Sequence, residues 1–145
     1  MTPAQLLTFK TAILADTNLV AQRAAGNQGA IAAYYNGIGT GSIWRPSISV
    51  SELNTAIVWS EFAGLTSQLQ ATYQAMITDG FIDATNANIR GGFSTVFSGK
   101  VSLTNLTALA QRTPTIFENL FTVSNICAVY GQQITPADIA AALGS

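Results

Sequence analysis

Three Thr-Pro dipeptides mark helix starts along this chain of 145 residues. Proline is favoured at the first position of a helix, where no N–H is needed, and a threonine before it can cap the helix. At Thr2-Pro3, Gln5 stands three residues beyond the threonine and completes the pattern of a capping box. Thr113-Pro114 and Thr135-Pro136 each precede apolar residues at helical spacing. The sequence therefore predicts helices that open at these three dipeptides.

Further polar caps and glycines divide the rest of the chain into short helical segments. Caps are predicted at Asn27, at Thr66 or Ser67, at Asn86 and at Ser102, and a further helix is predicted over residues 19–25. Alternating patterns are lacking, so strands are predicted only as short pieces near residues 43–44 or 81–82. The predicted fold class is all-α: a single compact domain over residues 1–145 with about seven to nine short helices and one Gly-rich loop.

The surface of such a fold must be nearly uncharged. Charged residues make up 9% of the chain, against about 25% in typical soluble domains. The net charge of −1 gives little self-repulsion, which favours association. We therefore expect a subunit that forms a homo-oligomer; the alternative is an ordinary soluble monomer with a neutral surface.

Side chains that commonly carry catalysis or bind metals are scarce. The chain has no histidine, and its one cysteine, Cys127, lies in an apolar run typical of a small buried side chain. Asp79 and Asp83 bracket a turn but lack the acidic spacing of a calcium loop, so they are interpreted as turn or cap residues. We predict that the protein is not an enzyme and has no catalytic, cofactor-binding or metal-binding residues.

The six cations are spread along the chain and form no run. Phosphate contacts supply much of the affinity for nucleic acid, so such binding is expected only incidentally, where an assembled ring lines a DNA channel. The first residues lack the basic and apolar regions of a signal peptide, and no stretch is apolar enough for a membrane span. The sequence predicts a protein that is made in the cytoplasm and has no membrane partner.

Residues 37–47 are predicted to form a flexible loop. Gly37, Gly39 and Gly41 stand at alternate positions and give a permissive backbone. Phosphate-binding glycine loops follow a strand and open a helix, whereas this loop follows a helix. Trp44 and Arg45 lie near its end, and an Arg beside a Trp is notable in a chain with so few charges. We predict that Trp44 and Arg45 contact a neighbouring subunit and that the three glycines give the loop its reach.

The residues at the end of this loop leave alternatives open. Arg45 can also stack on an aromatic ring or pair with Glu52 or Glu61. Trp44 and Trp59 each suit a core as well as an interface, because tryptophan is frequent in both.

The segment after the loop has the pattern of a helix start. Ser49 and Glu52 have the spacing of a capping box, and Ile48 and Leu53 have the spacing of a hydrophobic staple. The pattern assigns Glu52 to a helix start rather than to acid–base chemistry.

Several motifs together resemble a group of small proteins encoded by tailed bacteriophages and prophages. These are the opening Met-Thr-Pro-Ala-Gln-Leu, the Trp-Arg-x-Ser-x-x-x-x-Glu of residues 44–52, the Asn-x-Arg-x-Gly-like residues 88–93, residues 109–121, and the Thr-Pro-x-Asp of residues 135–138. The charge near Arg112 is lower here than in that group. The resemblance implies a place among virion genes and carries over no functional residues.

Within that class we expect a structural protein of the virion, made in the host cytoplasm. A small helical protein of the head–tail junction, forming a ring between portal and tail, is the favoured position. Its expected partners are further copies of itself and other phage structural proteins such as portal or tail proteins. The alternatives are tail completion, baseplate or capsid accessory proteins, or a small intracellular regulator that binds one host protein.

Overall fold

Short helices dominate the computed structural model, which describes residues 1–144. The ten α-helices within these residues are α1 (Pro3–Ala15), α2 (Val20–Ala24), α3 (Gln28–Tyr35), α4 (Val50–Ala56), α5 (Trp59–Ala63), α6 (Ser67–Met76), α7 (Ala87–Val96), α8 (Val101–Leu109), α9 (Ile116–Asn119) and α10 (Pro136–Gly144). None of them combines the length and the apolar character that crossing a membrane requires.

Three antiparallel pairs of two-residue strands lie between the helices. β1 (Ile43–Trp44) pairs with β4 (Gln111–Arg112), β2 (Ile48–Ser49) with β3 (Phe81–Ile82), and β5 (Thr122–Val123) with β6 (Ile126–Cys127). The prediction of an all-α fold is therefore confirmed only as a mostly helical fold.

The chain divides into two compact units, and each has its own hydrophobic core. Unit 1 comprises Met1–Ser42 with the segment that begins at Thr113, and unit 2 comprises Ile43–Arg112. The single domain stays a prediction, because two units with separate cores can unfold together or separately.

Unit 1 is built around three aromatic rings. Phe9 of α1 packs edge-on against Tyr35 of α3 and Phe117 of α9, with ring centroids 4.8 and 4.9 Å apart, and all three side chains are buried. The side chain of Asn36, at the end of α3, donates to the carbonyl of Ile134 and accepts from its N–H, at 2.7 and 2.8 Å. This amide pair ties α3 to the residues that lead into α10.

Unit 2 has a second aromatic centre. Tyr73 of α6 contacts Phe93 and Phe97, with ring centroids 6.2 and 5.7 Å apart. Ile48 of β2 lies opposite Ile82 of β3, and both side chains are buried in the same core. The strand pair thus places the start of α4 beside the turn that follows α6.

The predicted helix starts at Thr2 and Thr135 are confirmed. The N–H of Gln5 donates to the Thr2 hydroxyl at 3.2 Å, and the N–H of Thr2 donates to the Gln5 side chain at 2.7 Å. Thr135 and Asp138 make the same reciprocal bonds at the start of α10. The caps predicted at Asn27, Thr66 and Asn86 also accept N–H groups of their helices.

The start predicted at Thr113-Pro114 was wrong by two residues. The helix begins at Ile116, and Thr115 is its cap. Glu118 stands three residues after Thr115 and closes a capping box, with bonds of 2.8 and 3.1 Å. The third residue after Thr113 is Ile116, which has no side-chain acceptor, so a box at Thr113 is chemically excluded.

The other differences from prediction concern very short elements. The pieces predicted near residues 43–44 and 81–82 are strands, whereas their partners β4 and β2 and the β5–β6 hairpin were missed. Two-residue strands are too short to show an alternating pattern. The hairpin turns through Ser124 and Asn125, whose φ angles of 51° and 65° are those of a type I′ turn. Ten helices exceed the predicted seven to nine, and the four-residue α9 and five-residue α5 are too short to show a helical period.

Candidate functional site

The glycine segment of unit 1 is held by main-chain bonds. The N–H of Gly39 donates to Pro114 O at 2.9 Å, and the N–H of Ile116 donates to Gly37 O at 3.0 Å. The main chain of Thr40 pairs with the Asn119 side chain, through one bond of 3.1 Å and another of 2.9 Å. These bonds anchor residues 37–40 against the start of α9. The flexibility predicted for the whole segment 37–47 stays a prediction.

Each of the three predicted glycines has a local steric role. A Cβ on Gly39 would clash with Asn119 Oδ1 and would lie 2.7 Å from Thr115 O, so only glycine permits this close approach. A Cβ on Gly37 would lie 2.9 Å from Tyr34 O. Gly41 has a φ of +74°, in the region that favours glycine. These contacts explain the alternate glycines by packing and backbone conformation.

The residue between the first two glycines is the most exposed apolar side chain in this part of the chain. Ile38 is 85% exposed although its main chain forms a bridge with Thr115. The segment therefore presents Ile38 to solvent on an anchored backbone. Sequence reasoning overlooked Ile38, although an isoleucine between glycines in a loop has no local apolar partner and was a usable signal.

Trp44 lies in β1 and packs, half-buried, against the core of unit 2. The guanidinium carbon of Arg90 lies 4.7 Å from the centre of its ring, within cation–π range. Arg90 also donates to the carbonyls of Ala84 and Thr85, at 2.7 and 2.8 Å. The cation over Trp44 is thus Arg90 of α7, and its role was not predicted because 46 residues separate the two side chains.

Arg45 adopts one of the alternatives left open by the sequence. Its guanidinium forms an ion pair of 2.6 Å with Glu52 and also donates to Leu109 O at 3.2 Å. Its main chain bonds to Ala110 and Ala84. With its side chain only 22% exposed, Arg45 joins the start of α4 to the end of α8.

Glu52 is a helix-start residue, as predicted. It accepts the N–H and the hydroxyl of Ser49, both at 2.9 Å, and its own N–H donates to the Ser49 hydroxyl. The hydrogen bond from Arg45, followed by those from Ser49, lowers the pKa of Glu52 to about 2. Glu52 is therefore held as an anion by the cap and the ion pair.

Glu61 also accepts main-chain N–H groups at a helix start, that of α8, which is remote in sequence. Its carboxylate accepts the N–H groups of Val101 and Ser102, at 3.0 and 2.9 Å, and the Ser102 hydroxyl at 2.7 Å. The bonds from Ser102 lower the pKa of Glu61 below its ordinary value. The prediction that Ser102 caps α8 is corrected: Ser102 lies inside the first turn, because Glu61 supplies the cap and the buried Ser102 hydroxyl accepts the N–H of Val58.

Most of the other acidic side chains also accept main-chain N–H groups. Six of the seven carboxylates accept at least one main-chain N–H: Asp16, Glu52, Glu61, Asp83, Glu118 and Asp138. Three arginines, Arg23, Arg45 and Arg90, donate to main-chain carbonyls. Asp83 accepts the N–H of Thr85, as predicted for a turn residue, and Asp79 is exposed in the turn after α6. The charged side chains of this chain thus bind mainly to its own backbone.

The structure also places Trp59, which the sequence left open between core and interface, and Cys127, which was predicted to be buried. Trp59, at the start of α5, is 51% exposed and contacts Phe62 edge-on, with ring centroids 5.5 Å apart. Cys127 is half-buried against the core of unit 1 rather than fully buried, and its thiol lies 3.6 Å from Glu118 O. Its position in the β5–β6 hairpin accounts for the partial exposure.

No group of three potential metal-binding side chains gathers within residues 1–144. Comparisons with protein-family models, with curated proteins and with solved structures give no match to this chain.

Proposed function

We propose that this protein is a structural, non-enzymatic component of a tailed-phage virion. In this role it acts at the head–tail junction, where copies assemble into a ring and contact portal or tail proteins. Support for a virion role comes from the resemblance of the motifs at residues 1–6, 44–53 and 88–93 to small proteins of tailed phages. Tail completion, baseplate and capsid accessory positions are the alternatives within the virion.

The observation that carries the proposal is the use of the charged side chains. Six of the seven carboxylates accept main-chain N–H groups, and these bonds lie at helix starts and turns. Catalytic acids and bases need access to a substrate proton, whereas these carboxylates are engaged with backbone donors. A chain whose scarce charges stabilise its own helices is suited to assembly through shape and apolar contact.

Exposed apolar side chains supply candidate contact points for such an assembly. Ile38 is 85% exposed and Val123 76% exposed in unit 1, and Phe81 is 54% exposed in unit 2. Apolar groups exposed on an anchored backbone lose little conformational entropy when a neighbour covers them. In this proposal Gly37, Gly39 and Gly41 hold Ile38 outward, and the exposed parts of Trp44 and Arg45 take part in a contact.

The location of the protein tests the virion role. Quantitative mass spectrometry of purified particles, from the phage or induced prophage that encodes the chain, should find several copies per particle in a fixed ratio to the portal protein. Particles made without the gene should accumulate as separate heads and tails. Absence of the protein from particles would contradict the proposal and favour an intracellular regulator.

The contact through Ile38 is tested separately in the purified protein. Ile38→Ser should shift the sedimentation profile toward the monomer without changing the circular dichroism spectrum. Leu7→Ser is the matched control, because Leu7 is 64% exposed in the same unit but lies on α1. Equal shifts in both variants would show that the contact is not specific to the glycine segment.

A further inference from the structure

Unit 2 contains an apolar pocket of about 50 Å³ between α7 and α8. Side chains of the core close its inner end, among them Leu53, Phe93 and Leu106. Thr107 lines the pocket from an exposed position on α8, so the pocket is open to solvent on that side. Trp44 and Arg90 also line the pocket and are its most polar members besides Thr107.

The charge of Arg90 is offset there by neutral groups only. Its Nη1 atom donates to two carbonyls, of Ala84 and Thr85, and its guanidinium lies over the Trp44 ring. The N–H groups on Nε and Nη2 have no acceptor among residues 1–144, and no carboxylate of this part of the chain forms an ion pair with Arg90. A guanidinium held in this way offers a prepared donor edge to a carboxylate, the partner that fits it in two-bonded geometry.

The size of the pocket limits what enters it. A cavity of about 150 Å³ accommodates benzene, and about 10–15 Å³ is enough for one water molecule. A pocket of about 50 Å³ therefore accepts a small branched aliphatic group more readily than an aromatic ring. The ligand needs an apolar end for the pocket and an anionic end for Arg90.

We propose that this pocket binds a short branched aliphatic carboxylate, with its alkyl group among Leu53, Phe93 and Leu106 and its carboxylate on Arg90. The site goes beyond the virion role and does not depend on it. The same chemistry occurs in a free short-chain acid and at the C-terminal leucine or valine of a polypeptide.

The binding experiment uses Trp44 as the reporter. In a Trp59→Phe background Trp44 is the only tryptophan, and it lines the pocket. Titration with 3-methylbutanoate should change the Trp44 fluorescence with a saturable curve and a Kd of about 1–10 mM, the range expected for so small a ligand. A linear change without saturation would overturn the proposal.

Ligand analogues test the two halves of the site without altering the protein. 3-Methylbutanamide keeps the shape but has no charge, and acetate keeps the charge but has no branched end. Both should bind at least tenfold more weakly than 3-methylbutanoate. Equal binding of the amide would overturn the role of Arg90, and equal binding of acetate would overturn the role of the pocket. N-Acetylleucine separates the two sources: tighter binding than 3-methylbutanoate supports a chain end as ligand, and weaker binding supports a free acid.

A pair of variants on one helix tests the location. Thr107→Ile extends an apolar group over the open side of the pocket and should reduce the affinity for 3-methylbutanoate at least tenfold. Thr104→Ile makes the same change at an exposed position of α8 outside the pocket and should leave the affinity unchanged. Arg90→Gln should also weaken binding at least tenfold. If that variant folds poorly, the comparison of 3-methylbutanoate with 3-methylbutanamide still tests the role of Arg90 in the unaltered protein. Unchanged binding by Thr107→Ile would overturn the assignment.

Discussion

Unit 1 and unit 2 stabilise their helix starts in different ways. In unit 1, α1, α9 and α10 each begin with a threonine and a partner three residues later. In unit 2, α8 has no local side-chain cap and is capped by Glu61, which lies 40 residues before Val101 in the sequence. Arg45 and Arg90 likewise act on residues from other elements of unit 2. These three helix starts of unit 1 thus use local polar pairs, whereas the start of α8 in unit 2 depends on a contact that exists only after folding.

The largest effect should come from truncating the two separate cores. Phe117→Ala in unit 1 and Phe97→Ala in unit 2 each remove a fully buried ring and should lower the free energy of unfolding by about 3–5 kcal/mol. Hydrogen exchange measured along the chain should show whether each variant loosens one unit or both. The predicted single domain requires that both variants accelerate exchange throughout; acceleration confined to the altered unit would refute it.

A smaller effect tests the anchored glycine segment of unit 1. Gly39→Ala forces a Cβ against the backbone of Thr115 and the side chain of Asn119, so the free energy of unfolding should fall by about 1–3 kcal/mol. Gly91→Ala in α7 is the matched control, because no atom lies within 4 Å of its added Cβ. The control should gain about 0.5–1 kcal/mol from helix propensity. Chemical denaturation measures the free energy of unfolding of both variants. If Gly39→Ala is as stable as the parent protein, the glycine segment is not held against α9 as described.

A polar contact remote in sequence and a local cap can be compared by single substitutions. Ser102→Ala leaves the N–H of Val58 without its acceptor in a buried network, which should cost about 1–3 kcal/mol. Thr115→Ala removes a local cap and should cost about 0.5–2 kcal/mol. Thermal unfolding of the two variants in parallel gives the ranking. A larger loss for Thr115→Ala would show that the contacts remote in sequence are the weaker ones.

Acid sensitivity gives the smallest effect. The pKa of Glu52 falls from 4.5 in the unfolded chain to about 2 in the folded one. A lowered folded pKa means that the stabilisation is present above pH 4.5 and is lost as the pH falls toward 2. Glu52→Gln should therefore be less stable than the parent protein at neutral pH, and the difference should shrink as the pH falls through this window. A difference that does not vary with pH would exclude the charge of Glu52 as its cause.

Polar contacts between residues close in sequence could be predicted, and those between residues remote in sequence could not. The caps at Thr2, Ser49 and Thr135 were predictable because both partners lie within three residues of each other. The cap from Glu61 and the stacking of Arg90 on Trp44 were not, since each joins residues that only the fold brings together. Within the candidate contact site, the alternate glycines are evident in the sequence, whereas the exposure of Ile38 between them follows from the main-chain bonds of Gly37 and Gly39 to the start of α9.

Most of the charged side chains of this chain bind its own backbone, the carboxylates at helix starts and turns. Carbon-13 NMR of the Glu52 and Glu61 carboxyl groups across an acid titration tests it most directly. Both groups should titrate below their ordinary range, with the midpoint of Glu52 at about 2. Midpoints near 4.5 for both would contradict it, because carboxylates with ordinary pKa values are not bound to the Arg45 guanidinium and the helix-start donors as described.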